Sequence, residues 1–115
     1  MSNSKNWLLT ISGGGSEPLN EMRAGVELAL AAGAFGQQVT VVVSGRACEL
    51  LDKTVHMDES LYKLIGALPY YEIPRVHILS EETPRTPLRD DLEICVMTHQ
   101  QWSDIARSSE IAVNY

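Results

Sequence analysis

Two thiols, three imidazoles and a run of three glycines are the groups in this sequence with the most chemistry to offer. Cys48 lies in SGRACELL, two residues after Arg46 and just beyond the apolar run VTVVV. A neighbouring cation and a helix start both favour the thiolate, which is the nucleophile of sulfur chemistry. The same stretch, ACELL, equally directs a small apolar sulfur into a core, as free cysteines often do. Both readings of Cys48 stand on sequence alone. Cys95, between Ile94 and Val96 in LEICVM, reads as an interior strand residue and therefore as core. No disulfide framework is implied, because a cytosolic chain keeps its thiols reduced.

His56, His77 and His99 are widely spaced and stand in neither an H-E-x-x-H nor a paired C-x-x-C pattern. Zinc needs several ligands converging on one point, so no metal site follows, and His77 and His99 read as packing or surface residues. The triglycine Gly13, Gly14 and Gly15 in SGGGSEP would let backbone amides approach an anion, yet the lysine of a phosphate loop and the dinucleotide spacing are absent. It reads first as a turn. The acidic pairs Glu81 and Glu82, and Asp90 and Asp91, fall in a polar stretch and read as a solvated surface, not as an acid and base pair. No catalytic, cofactor-binding or metal residue, and no cofactor, is assigned from these patterns.

The elements that must position these groups alternate along the chain. NWLLTISG is a short apolar run closed by glycines, the mark of a buried strand. From Pro18, the sequence PLNEMRAGVELALAAGAFG sets Met22, Val26, Ala29, Leu30 and Gly33 at helical spacing, with proline at the start and Gly36 at the end. QVTVVV has the continuous β-branched character of a strand covered on both faces. RACELLD predicts a helical turn. DESLYKLIGAL predicts a helix through Leu61, Leu64, Ile65 and Leu68, capped by Asp58 or Ser60 and broken by Pro69. RVHIL and LEICVM read as further strands, the polar stretch from Ser80 to Asp91 as an irregular loop, THQQWSDIARS as a short helix capped by Thr98, and EIAVNY as a closing strand. Strands joined through helices predict right-handed crossovers, and so an α/β domain with a mainly parallel five-stranded sheet and helices on both faces, a three-layer α/β/α fold.

At 115 residues the chain suits one domain, spanning 1–115, with a single core. A formal charge of −6, from 15 acidic and 9 basic residues, repels a phosphate backbone, so direct nucleic-acid binding is not expected. MSNSKNW has no basic segment leading into an apolar one, and no apolar run reaches membrane-spanning length; the expected setting is cytoplasmic, with no membrane contact. Tyr70, Tyr71, Trp102 and Tyr115 are aromatics of a kind enriched at interfaces, although each also suits a core. Tyr70 and Tyr71, flanked by Pro69 and Pro74, are the stronger partner contacts.

Gly25, the stretch LALAAGAFGQQVTVVVSGRACELL, the LYKLIGAL helix, the loop after VHIL and the ending SSEIAVNY together resemble the DsrE/DsrF sulfur-relay family, most closely its TusC/DsrF branch. The resemblance covers nearly the whole chain and rests on apolar, glycine and helix positions. It implies a three-layer α/β/α domain with a parallel five-stranded sheet. It also implies a hetero-oligomer, by family likeness a heterohexamer, whose sister subunits pass persulfide sulfur toward tRNA 2-thiouridine or through dissimilatory sulfur oxidation. The carrying subunit of that family holds its cysteine in the loop after the third strand. Here that region reads HILSEETPRTP, with Ser80 near the expected place and no cysteine between Met57 and Ile94. A hydroxyl cannot hold a persulfide. The resemblance therefore implies a non-carrying accessory subunit of a sulfurtransferase complex. Two alternatives stay open: Cys48 as itself a persulfide acceptor, and a free-standing oligomeric binding module on the same fold.

Overall fold

The computed structural model describes residues 4–54 and 57–115; His56 lies outside the described residues. Five strands form one sheet: β1 (Asn6–Ile11), β2 (Gln38–Val43), β3 (Arg75–Leu79), β4 (Glu93–Met97) and β5 (Ile111–Asn114). Their order is β4-β3-β2-β1-β5, and every pairing is parallel. The helices are α1 (Pro18–Ala34), α2 (Glu59–Ile65) and α3 (His99–Ser108), with 3-10 segments at Gly45–Leu51 and Leu68–Tyr71. The fold is the three-layer α/β architecture anticipated from the alternation of strands and helices.

Handedness explains how the layers fill. The chain steps outward from β1 through β2 and β3 to β4, then returns across the sheet to set β5 beside β1. Right-handed crossovers keep α1 and α2 on one face during the outward steps, and the reversal sends α3 to the other.

The register gives each face its own chemistry. Ile94, Val76, Val41, Leu9 and Val113 are successive Cα partners in one row across the sheet. That row faces α1, where Met22, Val26 and Ala29 meet Leu50 and Leu51 of the first 3-10 segment and Leu61 and Ile65 of α2 in the main core. One residue further along, the row reads Cys95, His77, Val42, Thr10 and Asn114, and because strand side chains alternate it faces α3. There the cluster is small: buried Leu8, Val42 and Met97, with Leu79, Trp102, Ile105 and Ala106 partly buried against them.

Local signals account for most boundaries. α1 begins on Pro18, whose missing N–H is one of the helix's unsatisfied donors in any case. α2 is capped by Asp58, whose carboxylate accepts from the Leu61 amide at 2.9 Å, while the Ser60 hydroxyl donates to the same carboxylate. α3 carries a full capping box in which Thr98 accepts from the Gln101 amide and the Gln101 side chain accepts from the Thr98 amide. One boundary differs from expectation. The helix does not run on through Leu68 to be broken by Pro69: α2 ends at Ile65, with Gly66 as its cap, and Pro69 lies in the first turn of the separate segment Leu68–Tyr71. A proline is tolerated in a first turn, where its N–H is not needed.

The polar stretch before β4 is irregular, as its composition suggests, but it holds a buried anchor. Arg89 is 4% exposed. Its guanidinium grips Asp91 in a two-pronged pair at 2.6 and 2.8 Å, donates to the Leu50 carbonyl at 3.0 Å and lies 3.6 Å above the Tyr62 ring centre. Leu92 enters the main core beside it. This side chain ties the loop to α2 and to the first 3-10 segment, and backbone bonds from Lys53 to Pro87 and from Arg89 to Leu51 reinforce it.

Candidate functional site

In open parallel sheets ligands gather beyond the carboxyl ends of the strands, at the point where the strand order reverses. Here that point lies between β1 and β5, against the glycine run. Two of its three amides, those of Gly13 and Gly15, are already committed. Ser12 and Gly13 donate backbone N–H groups to the Tyr115 carbonyl oxygen at 2.8 and 3.3 Å, and the Ser12 hydroxyl donates to the same atom. Gly15 and Glu17 donate theirs to the Glu21 carboxylate at 2.9 and 3.3 Å. A side chain at Gly15 would collide with that carboxylate. The anion that the loop invites is supplied by Glu21 from the first turns of α1, which fills the position a phosphate would take.

Cys48 sits half-buried in the 3-10 segment after β2, packed against the main core. Burial pushes its thiol above the ordinary value of 9.0, opposed in part by a backbone hydrogen bond, so the neutral form is favoured. Proximity to Arg46 in sequence does not produce an activated thiolate.

Cys95 departs from its expected place in the core. β4 is an edge strand, and the Cys95 side chain is half-buried on the α3 face while Val96 is 39% exposed. It lines a cavity of about 400 Å³ between the sheet and α3, shared with Arg75, His77, Met97, Gln101, Asp104 and Ile105. His77 is the Cα partner of Cys95 on the same face. Its Nδ1 lies 3.4 Å from the Val41 carbonyl oxygen, which selects the tautomer with hydrogen on Nδ1 and leaves Nε2 with the lone pair. Burial holds the imidazole below its ordinary value of 6.5, opposed by the Val41 contact. Arg75 pairs with Glu93 at 3.0 Å, and Asp104 pairs with Arg107.

The remaining candidates resolve into structural roles. The Glu81 carboxylate accepts from the His99 amide at 2.7 Å and lies 2.6 Å from His99 Nδ1, contacts that hold it below the ordinary carboxylate range and tie the loop to the start of α3. Asp91 is held low by Arg89, and Asp90 pairs with Lys53 at 3.1 Å. Among the described residues, no group of three or more His, Cys, Asp and Glu side chains converges as a metal site would require.

The aromatics divide cleanly. Trp102 is part-buried and donates its indole N–H to the Thr10 hydroxyl at 2.9 Å, and Tyr115 packs on the main core. Tyr70, by contrast, is 88% exposed, and Tyr71 is also exposed. They line a groove of about 620 Å³ with Gly33, Ala34, Gly36 and Glu72, where the end of α1 meets the Leu68–Tyr71 segment. Gly33 permits this close approach, since a Cβ there would stand 2.6 Å from the Tyr71 carbonyl oxygen. Phe35, at the end of α1 between the groove residues Ala34 and Gly36, is 83% exposed. Sequence reasoning passed over Phe35; its position directly after a helix end and before a glycine was the available signal.

No protein-family model matches the sequence, and no curated protein matches it. Among the described residues, no helix is long and apolar enough to cross a membrane.

Proposed function

We propose that the chain is a non-carrying accessory subunit of a persulfide-transfer complex. One observation carries the reading: the loop after β3, where the carrying subunits of the family that the sequence resembles hold their thiol, opens on Ser80. The Ser80 hydroxyl donates to the Glu82 carbonyl at 2.8 Å and accepts from the Glu82 amide at 3.1 Å, closing the loop on itself. An oxygen there can form neither the persulfide nor the mixed disulfide through which sulfane sulfur moves. Cys48, the alternative acceptor, is half-buried with its thiol pushed up, which works against attack on a donor. The exposed side chains of Phe35, Tyr70 and Tyr71 support a role in assembly, because aromatic side chains bring large contact area at low entropic cost. The service would be toward tRNA 2-thiouridine or sulfur oxidation, with sister subunits bearing the thiol.

The test is a relay reconstituted from a cysteine desulfurase, the thiol-bearing sister subunit and this chain with both Cys48 and Cys95 replaced by serine. Sulfur should reach the final acceptor at the rate seen with the unaltered chain. Transfer that stops with the cysteine-free chain, while the complex still assembles, would make this subunit a carrier and overturn the reading.

A further inference from the structure

The groove at the end of α1 has an electrostatic character as well as an aromatic one. We propose that it docks an arginine side chain carried by a basic segment of a partner protein, a partner chemistry that rests on reading this surface as an assembly contact. The guanidinium would sit between the Glu72 carboxylate and the end of α1, with its flat face toward the tyrosine rings.

Three features of the groove favour a cation. First, α1 is 17 residues long and turns the negative end of its dipole toward the groove, with no basic residue in its last turn. The carbonyls of Ala31, Ala32 and Gly33 accept from the amides of Phe35, Gly36 and Gln37, but no described residue donates to the carbonyl of Ala34, which lines the groove. Second, Glu72 is the charged residue of the lining, and its carboxylate makes no hydrogen bond or ion pair with a described residue. No Lys or Arg stands in the lining to offset it. Third, Tyr70 is 88% and Tyr71 38% exposed, and the faces of such rings attract cations.

The backbone adds to this. Glu72 caps the Leu68–Tyr71 segment in the left-handed region, at φ 64, with its amide bonded to the Pro69 carbonyl at 3.3 Å. Glycine holds such a cap without strain, so the turn itself does not call for a carboxylate. On the facing side a Cβ at Gly36 would meet nothing within 4 Å, which leaves that wall open to an incoming group.

The chemistry of the occupant follows from these contacts. A planar guanidinium stacks on a ring while its edge donates several hydrogen bonds, here to a carboxylate and a carbonyl, which the compact ammonium of lysine does less well. A small free cation would cover little of Tyr70 or of a groove of about 620 Å³, whereas a length of polypeptide covers both. The formal charge of −6 on the chain adds attraction toward a basic partner.

The experiment titrates the isotopically labelled full chain with a blocked tetrapeptide of alternating leucine and arginine and follows its backbone amides by nuclear magnetic resonance. Saturable shifts should centre on Gly33, Gly36, Tyr71 and Glu72. Citrulline in place of arginine keeps the shape without the charge and should weaken binding by about fivefold or more. Glu72→Gln and Tyr70→Leu, both at exposed positions, should each weaken it by about 2–5-fold. Shifts that are absent or centred elsewhere, equal binding of the citrulline peptide, or indifference to both substitutions would overturn the proposal. So would a single blocked arginine that binds as tightly as the tetrapeptide, which would mark a small-molecule site, or the same amides shifting with concentration in the peptide-free chain, which would mark a second copy as the occupant. Co-expression with sister subunits separates this from the assembly reading. A hetero-oligomer that forms while the peptide leaves these amides unmoved removes the arginine and keeps the assembly; peptide binding without a hetero-oligomer does the reverse.

Discussion

The two faces of the sheet are built from adjacent residues of the same strands, yet they do different work. Toward α1, the row Ile94, Val76, Val41, Leu9 and Val113 meets two helices and a 3-10 segment in one continuous core. Toward α3, the row Cys95, His77, Val42, Thr10 and Asn114 is largely polar, and a single helix spans it. One face therefore carries the stability, and the other keeps titratable and nucleophilic groups within reach of solvent. A sheet with a three-element cover on one side can tolerate a thin cover on the other, because apolar burial is roughly proportional to area wherever it occurs.

Deleting apolar volume is the strongest way to break this contrast. Leu9→Ala, at a fully buried site, should lower unfolding free energy by about 2–5 kcal/mol, whereas Ile105→Ala on the thin face should cost about 1 kcal/mol; chemical denaturation of both variants measures the difference. Equal losses would mean that the faces share the load.

Arg89 tests whether the loop before β4 belongs to the thick face. Arg89→Ala removes a buried cation from Asp91, the Leu50 carbonyl and the Tyr62 ring, and should cost about 2–3 kcal/mol, less than a fully buried pair because Asp91 is partly in water. Hydrogen exchange should speed up first in residues 80–92 and in α2. Thr98→Ala comes next. Removing the hydroxyl of the capping box should cost about 1 kcal/mol and increase exchange in the first turn of α3, leaving α1 protected.

The smallest effect is confined to mildly acid solution. Burial lowers the His77 pKa in the folded chain, so the unfolded chain binds the proton first as pH falls. The stability associated with neutral His77 is full above pH 6.5, declines as pH drops through 6.5 toward the lower folded value and then levels. His77→Gln should remove that part of the slope in denaturation curves taken between neutral and mildly acid pH, while the carboxylate-linked slope from Asp58, Glu81 and Asp91 remains at lower pH.

Much of the fold was legible because its signals are local. VTVVV between glycine-bounded helical stretches can scarcely be anything but a central parallel strand, and Asp58 and Thr98 announce their helices through side-chain chemistry alone. The site was less legible because its properties depend on neighbours distant in sequence. LEICVM looks like core until the strand order places it at an edge, which exposes Cys95 and pairs it with His77. Arg89 sits in a stretch whose composition says surface, and only its meeting with Leu50 and Tyr62 makes it an internal anchor. The glycine run is open to an anion in sequence; the folding back of Glu21 closes it.

The proposed accessory role requires a partner, and the exposed side chains of Phe35, Tyr70 and Tyr71 are the contacts to test for it. Co-expression with candidate sister subunits, followed by sizing with light scattering, is the most direct measurement. A stable hetero-oligomer should form and fall apart on Phe35→Asp with Tyr70→Asp, while the isolated variant keeps its melting temperature. A chain that elutes alone as a monomer, indifferent to its sisters and to those substitutions, would contradict it.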